Sequence, residues 1–377
     1  MAQNPFHYGT PVQGEQFTGR ERELAAVTAR MRDGINVVLL SPRRYGKTSL
    51  LLRAEAKLAQ SRPPGALVKA NVLRSRDLVA LIGQLASGVY QLPGGRWHRT
   101  RQALPEFVRR LRMRPTVTIN DHGQPVFAFE PAVAGLEADT VLADLYALLD
   151  EQSAHRPAVL VLDEFQAIVD LGAHLPNLLK SLADDHPAVS LVLAGSKRHL
   201  MERLVDAENA PLYGMAQKIE LGPIPDDIMT HFLCARAAAG GKQMDETAAA
   251  AAIDRAGPVP NDIQRLAYEG YGLADRVVDD TALALGLDQA VAHEAAIYSE
   301  VFAARSPGQR RVLVRLATED HQHVYSSSFA RTVGLAGSNS VKKVIDSLVE
   351  DELVARRNES WQITDAFFAA WLRLDPA

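Results

Sequence analysis

The chain has 377 residues, 47% of them hydrophobic, with a formal net charge of -4 and a pI of about 6.3. That length and apolar content can fill more than one core, so two or three domains are expected, and the charge balance excludes a global basic field as the means of holding nucleic acid. A single cysteine, Cys234, excludes an internal disulfide and a cysteine-built metal site.

The N-terminal stretch MAQNPFHYG has no charged segment followed by an apolar one, and no run reaches the roughly eighteen apolar residues of a membrane span. A soluble, cytoplasmic protein is expected. From residue 35 to about 222, short runs rich in Val, Ile and Leu alternate with helix-length segments: NVVLLS (36–41), ALVKANV (66–72), AVLVLDEF (158–165), VSLVLAGS (189–196) and QKIELG (217–222). This is the pattern of a parallel sheet covered on both faces. One interruption follows a predicted helix at 74–92. An arginine-rich stretch and then TVTINDHGQPVFAFE, which reads as a hairpin about Asp121-His-Gly123, form an insertion at about 94–131.

After Gly222 the pattern is helical, with segments near 225–240, 246–256, 261–274 and 280–304 bounded by GPIPDD, GG and GPVPND. From Ser306 three further amphipathic helices and a short hairpin about Asn358-Glu-Ser360 describe a winged helix. The expected organisation is an α/β core over 1–222, a helical lid over 223–305 and a winged-helix domain over 306–377.

The stretch SPRRYGKTS (41–49) lies between the first strand and a helix. A phosphate cradle needs backbone N–H groups at a helix start, a flexible lysine and a hydroxyl for magnesium. Gly46, Lys47 and Thr48 supply the close turn, the charge for the β- and γ-phosphates and a Mg²⁺ ligand; Pro42, Arg43, Arg44, Tyr45 and Ser49 complete the loop. The glycine that usually opens such a loop is replaced by Ser41, which serves if its backbone torsion is ordinary there. In VLVLDEFQ, four apolar residues carry Asp163 to the end of a buried strand. Its carboxylate is placed to hold Mg²⁺ through water, and Glu164 to orient or deprotonate an attacking water. Gln166 reads equally as a support for these acids or as an exposed helix residue. Ser196, ending the next strand, is suited both to sensing the γ-phosphate and to capping a helix. Lys197, Arg198 and Arg203 follow it without a defined target.

Taken in order, FTGRERELAAV, SPRRYGKTSLL, VLDEFQ, GSKRHLM, PLYGMAQKIELGPI and the closing YSSSFARTVGLAGSNSVKKVIDSLVEDELV with WQITDAFFAAWL resemble the archaeal-type ATPases over nearly the whole chain. That family belongs to the STAND branch of P-loop NTPases and is related to AAA+ proteins. The resemblance implies ATP or ADP bound with Mg²⁺ between an αβα core and a helical lid, followed by a winged helix. It implies that Phe17, Gly19 and Arg20 approach the base and that Pro260, in AGPVPNDIQRL, meets the adenine and couples the lid to nucleotide. A proline at the first turn of a helix is equally compatible with Pro260. The sequence departs from the family at Met215, where many relatives carry an arginine that senses the γ-phosphate; Arg43, Arg44 and Arg198 are the candidates to replace it.

Between Ser306 and Ala377 the nine basic residues are matched by nine acidic ones, a poor field for a phosphate backbone. Ser338, Asn339, Ser340, Lys342 and Lys343 nonetheless open the expected recognition helix, and Arg356 and Arg357 precede the wing, where DNA contacts lie in this fold. The insertion brings Arg96, Arg99, Arg101, Arg109, Arg110, Arg112 and Arg114 together with Trp97. This is either a grip for nucleic acid or an acidic partner, or a solvated helix face. The leading expectation is a Mg²⁺-dependent ATPase acting as a nucleotide-controlled switch. The alternatives are a DNA-binding or protein-docking module with nucleotide as a structural ligand, and an assembling platform in which a neighbour supplies the arginine.

Overall fold

The computed structural model describes residues 4–92, 104–119, 125–131, 138–318, 323–357 and 359–374. The chain forms two compact units, Pro11–Pro223 and Met1–Thr10 with Ile224–Ala377.

The first unit is built on a five-stranded parallel sheet. Helix α1 (Glu21–Arg32) precedes β1 (Val37–Leu40), which leads into α2 (Lys47–Ala59) and β2 (Ala66–Asn71). After α3 (Leu78–Gln91) come α4 (Leu104–Leu111), the antiparallel pair β3 (Met113–Ile119) and β4 (Pro125–Pro131), and α5 (Ala138–Ser153). The chain re-enters the sheet with β5 (Ala158–Asp163). It then runs through α6 (Ile168–Leu171), α7 (Leu175–Asp185), β6 (Val189–Gly195), α8 (Arg198–Val205) and β7 (Gln217–Glu220). The strand order is β2-β5-β6-β1-β7. Every residue of β1, β5 and β6 is buried, whereas the edge strand β2 alternates and the edge strand β7 buries only Ile219. Both follow from helices covering the two faces, since only inner strands are closed on all sides. Register levels the carboxyl ends of the three inner strands: Leu40 pairs with Gly195, and Asp163 with Ala194. The phosphate-loop candidate, the acidic pair and Ser196 therefore leave the sheet at one edge.

The insertion is packed onto this unit by aromatic rings. Phe107 of α4 is fully buried, with its ring centroid 5.4 Å from Tyr90 of α3 and 5.1 Å from Phe129 of β4. The expected turn at Asp121-His-Gly123 lies outside the described residues, as do Arg96, Trp97, Arg99 and Arg101.

In the second unit, α9 (Asp226–Ala239), α10 (Glu246–Ala256), α11 (Pro260–Leu273) and α12 (Asp280–Ala303) match the four expected helices to within two residues. α11 and α12 approach backbone to backbone: a Cβ at Gly286 would stand 2.7 Å from the Gly270 nitrogen, so no larger residue fits there. The winged helix follows as α13 (Pro307–Thr318), α14 (Ser327–Thr332), α15 (Ser338–Glu350) and the hairpin β8 (Val354–Arg357) and β9 (Ser360–Ile363). Asn358, in the expected turn, lies outside the described residues.

A helix for which the sequence reading named no element, α16 (Ala366–Leu374), closes the unit. Its Trp371 stacks on Phe368 and meets Phe302 of α12 edge-on at 5.8 Å. Helices α9 to α12, the winged helix and Phe6 of the N-terminal segment share one hydrophobic cluster. No helix among the described residues is long and apolar enough to cross a membrane.

Removing the ring at the centre of the aromatic trio by Phe107→Ala is expected to lower the unfolding free energy of the Pro11–Pro223 unit by about 3–5 kcal/mol. The readout is a lower denaturant midpoint at unchanged slope. A change below about 1 kcal/mol would mean that the insertion does not share this core.

Candidate functional site

Buried β1 delivers the chain into the loop at Ser41, whose N–H bonds to the Gly195 carbonyl at 3.2 Å and whose hydroxyl donates to the Pro42 carbonyl at 3.1 Å. Ser41 is not among the residues of positive φ, so the bend that usually takes glycine is made here with an ordinary torsion. The left-handed residues come later: Arg44 at φ 69° and Gly46 at φ 92°. Such a sequence turns successive N–H groups toward one concavity and ends at the N-terminus of α2. A Cβ on Gly46 would meet nothing within 4 Å, so the glycine is required by its torsion rather than by crowding.

The loop is braced from beneath. Arg20 is 3% exposed; its guanidinium donates to the carbonyls of Tyr45 and Gly222 and pairs with Glu23 at 3.1 Å. The buried Ser49 hydroxyl accepts the Val12 N–H at 3.0 Å. Arg20 thus ties the loop to the exit of β7, a role that the sequence reading did not give it. Phe17 packs half-buried against the apolar cluster between α1, α2 and the sheet, with the Arg53 guanidinium 5.6 Å from its ring centroid, and Gly19 has φ +68°. Pro42, Arg43 and Arg44 are exposed on the loop, while Tyr45 is buried.

Lys47 is the electrostatic centre. Its ammonium is 6% exposed as a residue, yet it lies 2.7 Å from Asp163 Oδ1 and 2.6 Å from Glu164 Oε1. Two acids at a strand end are costly to bury without a cation, and Lys47 supplies one across the gap between β1 and β5. Glu164 reaches it by adopting φ 52°, ψ 43°, a left-handed conformation unusual for glutamate, and its own N–H bonds to Asp163 Oδ1 at 2.9 Å. Its second oxygen, Oε2, accepts from Ser196 Oγ at 2.7 Å and from Gln166 Nε2 at 2.6 Å. Burial pushes the Glu164 carboxyl up, but the Lys47 charge and the hydrogen bonds from Lys47, Ser196 and Gln166 prevail and hold it below the ordinary range.

These contacts resolve two open readings. Gln166 is buried and supports Glu164 rather than facing solvent. Ser196 bonds to Glu164 and does not cap α8, whose N-cap is Lys197. The Gln166 signal was its place two residues after Glu164 in a tight 3-10 turn, which brings the side chain back over the carboxylate.

The residues suit a magnesium–nucleotide complex. The exposed Thr48 hydroxyl and the Asp163 carboxylate are hard oxygen donors, the loop presents N–H groups, and the space above Gly46 is open. Met215 instead packs half-buried against the apolar cluster of the sheet. Arg198 is held by Glu220 of β7 at 2.6 Å, which, ahead of the opposing effect of burial, raises its pKa. Lys197 is half-buried and Arg203 exposed. In the second unit, Pro260 is buried at the first turn of α11.

On the winged helix, Ser338, Asn339, Lys342, Lys343 and Arg356 are exposed, and Arg357 is half-buried. In the insertion, Arg109, Arg112 and Arg114 are exposed, and Arg110 pairs with Glu151 of α5.

Residues 296–374 match the family model of a probable winged helix domain. No curated protein matches the chain. Among solved structures, the Walker-type ATPase of Pyrococcus abyssi aligns over 98% of this chain and 100% of its own, with 18% identity and a TM-score of 0.68. The chain has a P-loop ATPase fold. The ORC2 protein of Aeropyrum pernix in its ADP form also aligns, over 98% of both chains, at 13% identity and a TM-score of 0.53. The parallel sheet and the C-terminal winged helix predicted from sequence are both present.

Because Glu164 is depressed in the folded state, its ionised form contributes stability in full above the ordinary carboxyl value of about 4.3. That contribution is lost as pH falls from there through the lower folded value. Ser196→Ala removes one of the bonds holding the carboxylate. Glu164 is then expected to titrate at higher pH by NMR, and acidification to cost the variant less stability than the parent. Superimposable titrations of parent and variant would show that the serine does not hold Glu164.

Proposed function

We propose that the protein is a Mg²⁺-dependent ATPase that works as a nucleotide-controlled switch. The observation that carries this reading is the buried constellation at the edge of the sheet, where one lysine at a helix N-terminus faces two carboxylates, one of them oriented from two sides. In this reading the loop from Pro42 to Ser49 cradles the phosphates and Lys47 neutralises them. Thr48 and Asp163 hold the metal, whose chemistry is to polarise the terminal phosphate. Glu164, kept ionised by its surroundings, accepts the hydrogen bond of the attacking water and orients it, while Ser196 and Gln166 fix the carboxylate.

Two similarities support the nucleotide. One aligned structure is described as a Walker-type ATPase, and the other carries ADP. The base contacts of Phe17 and Gly19, the adenine contact of Pro260, the lid over 223–305 and the placement among archaeal-type ATPases of the STAND branch belong to the same proposal. Arg20, committed to the loop and Gly222 carbonyls, acts by shaping the cradle. With Met215 in the core and Arg198 held by Glu220, an arginine from a partner or from the loop itself is the source of further charge, which makes slow intrinsic turnover the expectation.

The shared hydrophobic cluster supports a switch in which the lid helices and the winged helix change position as one body when nucleotide is bound or released. A second reading, DNA contact through the winged helix, is favoured by Lys342, Lys343 and Arg356, which are exposed and have no carboxylate partner among the described residues.

Purified protein with Mg-ATP is expected to release phosphate. Glu164→Gln should keep ATP bound while slowing turnover by about 10²–10⁴-fold, and Lys47→Ala should lose both. Hydrolysis at the parental rate in both variants would refute the site assignment. For the DNA reading, reversing Lys342, Lys343 and Arg356 is expected to flatten the salt dependence of duplex binding; absence of any salt-dependent duplex affinity in the parent would remove that reading.

A further inference from the structure

A cavity of about 520 Å³ lies in the second unit, among the end of α12, one face of α13 and the end of α14. Phe302 contributes hydrocarbon to its lining, Thr318 and Thr332 contribute hydroxyls, and Arg310, Arg311 and Arg315 contribute three guanidinium groups. Nothing in the nucleotide reading uses it.

Two of the arginines are fixed by main-chain carbonyls. Arg310 donates through Nε to the Arg305 carbonyl at 2.9 Å and through Nη2 to that of Ala303 at 2.6 Å, at the end of α12. Arg311 donates through Nε to the Val333 carbonyl at 2.6 Å and through Nη2 to that of Gly334 at 3.3 Å, just past α14. Capping the carbonyl ends of two helices is a sufficient structural use for both side chains. It leaves Nη1 of each without a partner among the described residues, and it does not account for the concavity. Neither Arg310 nor Arg311 meets a carboxylate among the described residues, and Asp351 is taken by Arg305. Two such guanidinium groups beside one recess repel each other and call for an anion. Guanidinium forks already immobilised by carbonyls lose little further entropy in binding one.

We propose that this cavity binds a small phosphate-bearing molecule. Its phosphate would lie on the arginine forks, which match that oxyanion in shape as well as charge, and the remainder would lie against Phe302 and its apolar neighbours. The volume is that of a small-molecule site, and a recess of this size suits a compact ligand better than the regular backbone of a duplex. Because the ligand would bridge the ends of α12 and α14 across α13, it is an effector of the winged-helix domain.

The test uses the full chain carrying Lys47→Ala, titrated calorimetrically with inorganic pyrophosphate, so that the phosphate loop contributes as little as possible. Saturable binding is expected, weakened at least tenfold by adding Arg311→Gln and Arg315→Gln. It is expected to weaken to a similar degree with Thr318→Trp, which fills the recess from its exposed rim and leaves both capping arginines in place. Absence of saturable binding, or undiminished affinity in both variants, overturns the proposal. So does a result in which duplex DNA, and not pyrophosphate, is the anion whose binding these substitutions weaken. With Lys47 intact, Arg311→Gln/Arg315→Gln is expected to hydrolyse ATP at the parental rate, so failure here and failure of the nucleotide reading are separately visible.

Discussion

A buried ammonium between two carboxylates organises the first unit. Asp163 and Glu164 leave the end of β5 and Lys47 begins α2 beyond β1, and each would be costly to bury alone. The parallel sheet makes the arrangement possible by bringing β1, β6 and β5 to a common edge in register. The loop's left-handed turns and the Arg20 brace then fix where the lysine starts. Lys47 holds the acids together in this structure, and in the proposed function it is also the group that meets phosphate. An incoming anion and its metal therefore exchange counter-ions with a pair already formed, rather than adding charge to an empty pocket.

Much of this was legible in the sequence because the signals were local. Strands β1, β5 and β6 appear as runs dominated by Val and Leu, with only Ser190 interrupting β6, since burial on both faces leaves few polar positions. Gly46-Lys47-Thr48 and Asp163-Glu164 were readable because a strand end fixes what its last residues can reach. Residues whose role depends on tertiary placement were not readable in the same way. Arg20 lies two hundred residues from Gly222, and nothing near it announces a carbonyl partner. Gln166 and Ser196 each had two uses that only the position of the Glu164 carboxylate could separate. Helix α16 went unnamed although its sequence is plainly apolar, because the winged-helix pattern was complete without it. Its purpose, packing Trp371 on Phe302, appears only when α12 is in place.

The second unit shows a different economy. Its helices are alanine-rich, and they compensate for small side chains by close approach, as at Gly270 and Gly286. Large rings gather at the joint between α12 and α16, where Arg310 of α13 also lies over Phe302. A joint made of packed aromatics and capped helix ends is stiff, so α9 to α12 and the winged helix are packed to behave as one piece, as the proposed switch requires.

The backbone at Glu164 has a further consequence. Glutamate at φ 52° occupies a region where glycine or asparagine is at home, so the fold gives up stability to keep a carboxylate there. Under the proposed function, selection for heat resistance and selection for activity pull this one position toward different residues. If the proposed function holds, a glycine or asparagine at the place of Glu164 in another chain of this architecture would mark a lineage that kept the fold while giving up the proposed hydrolysis.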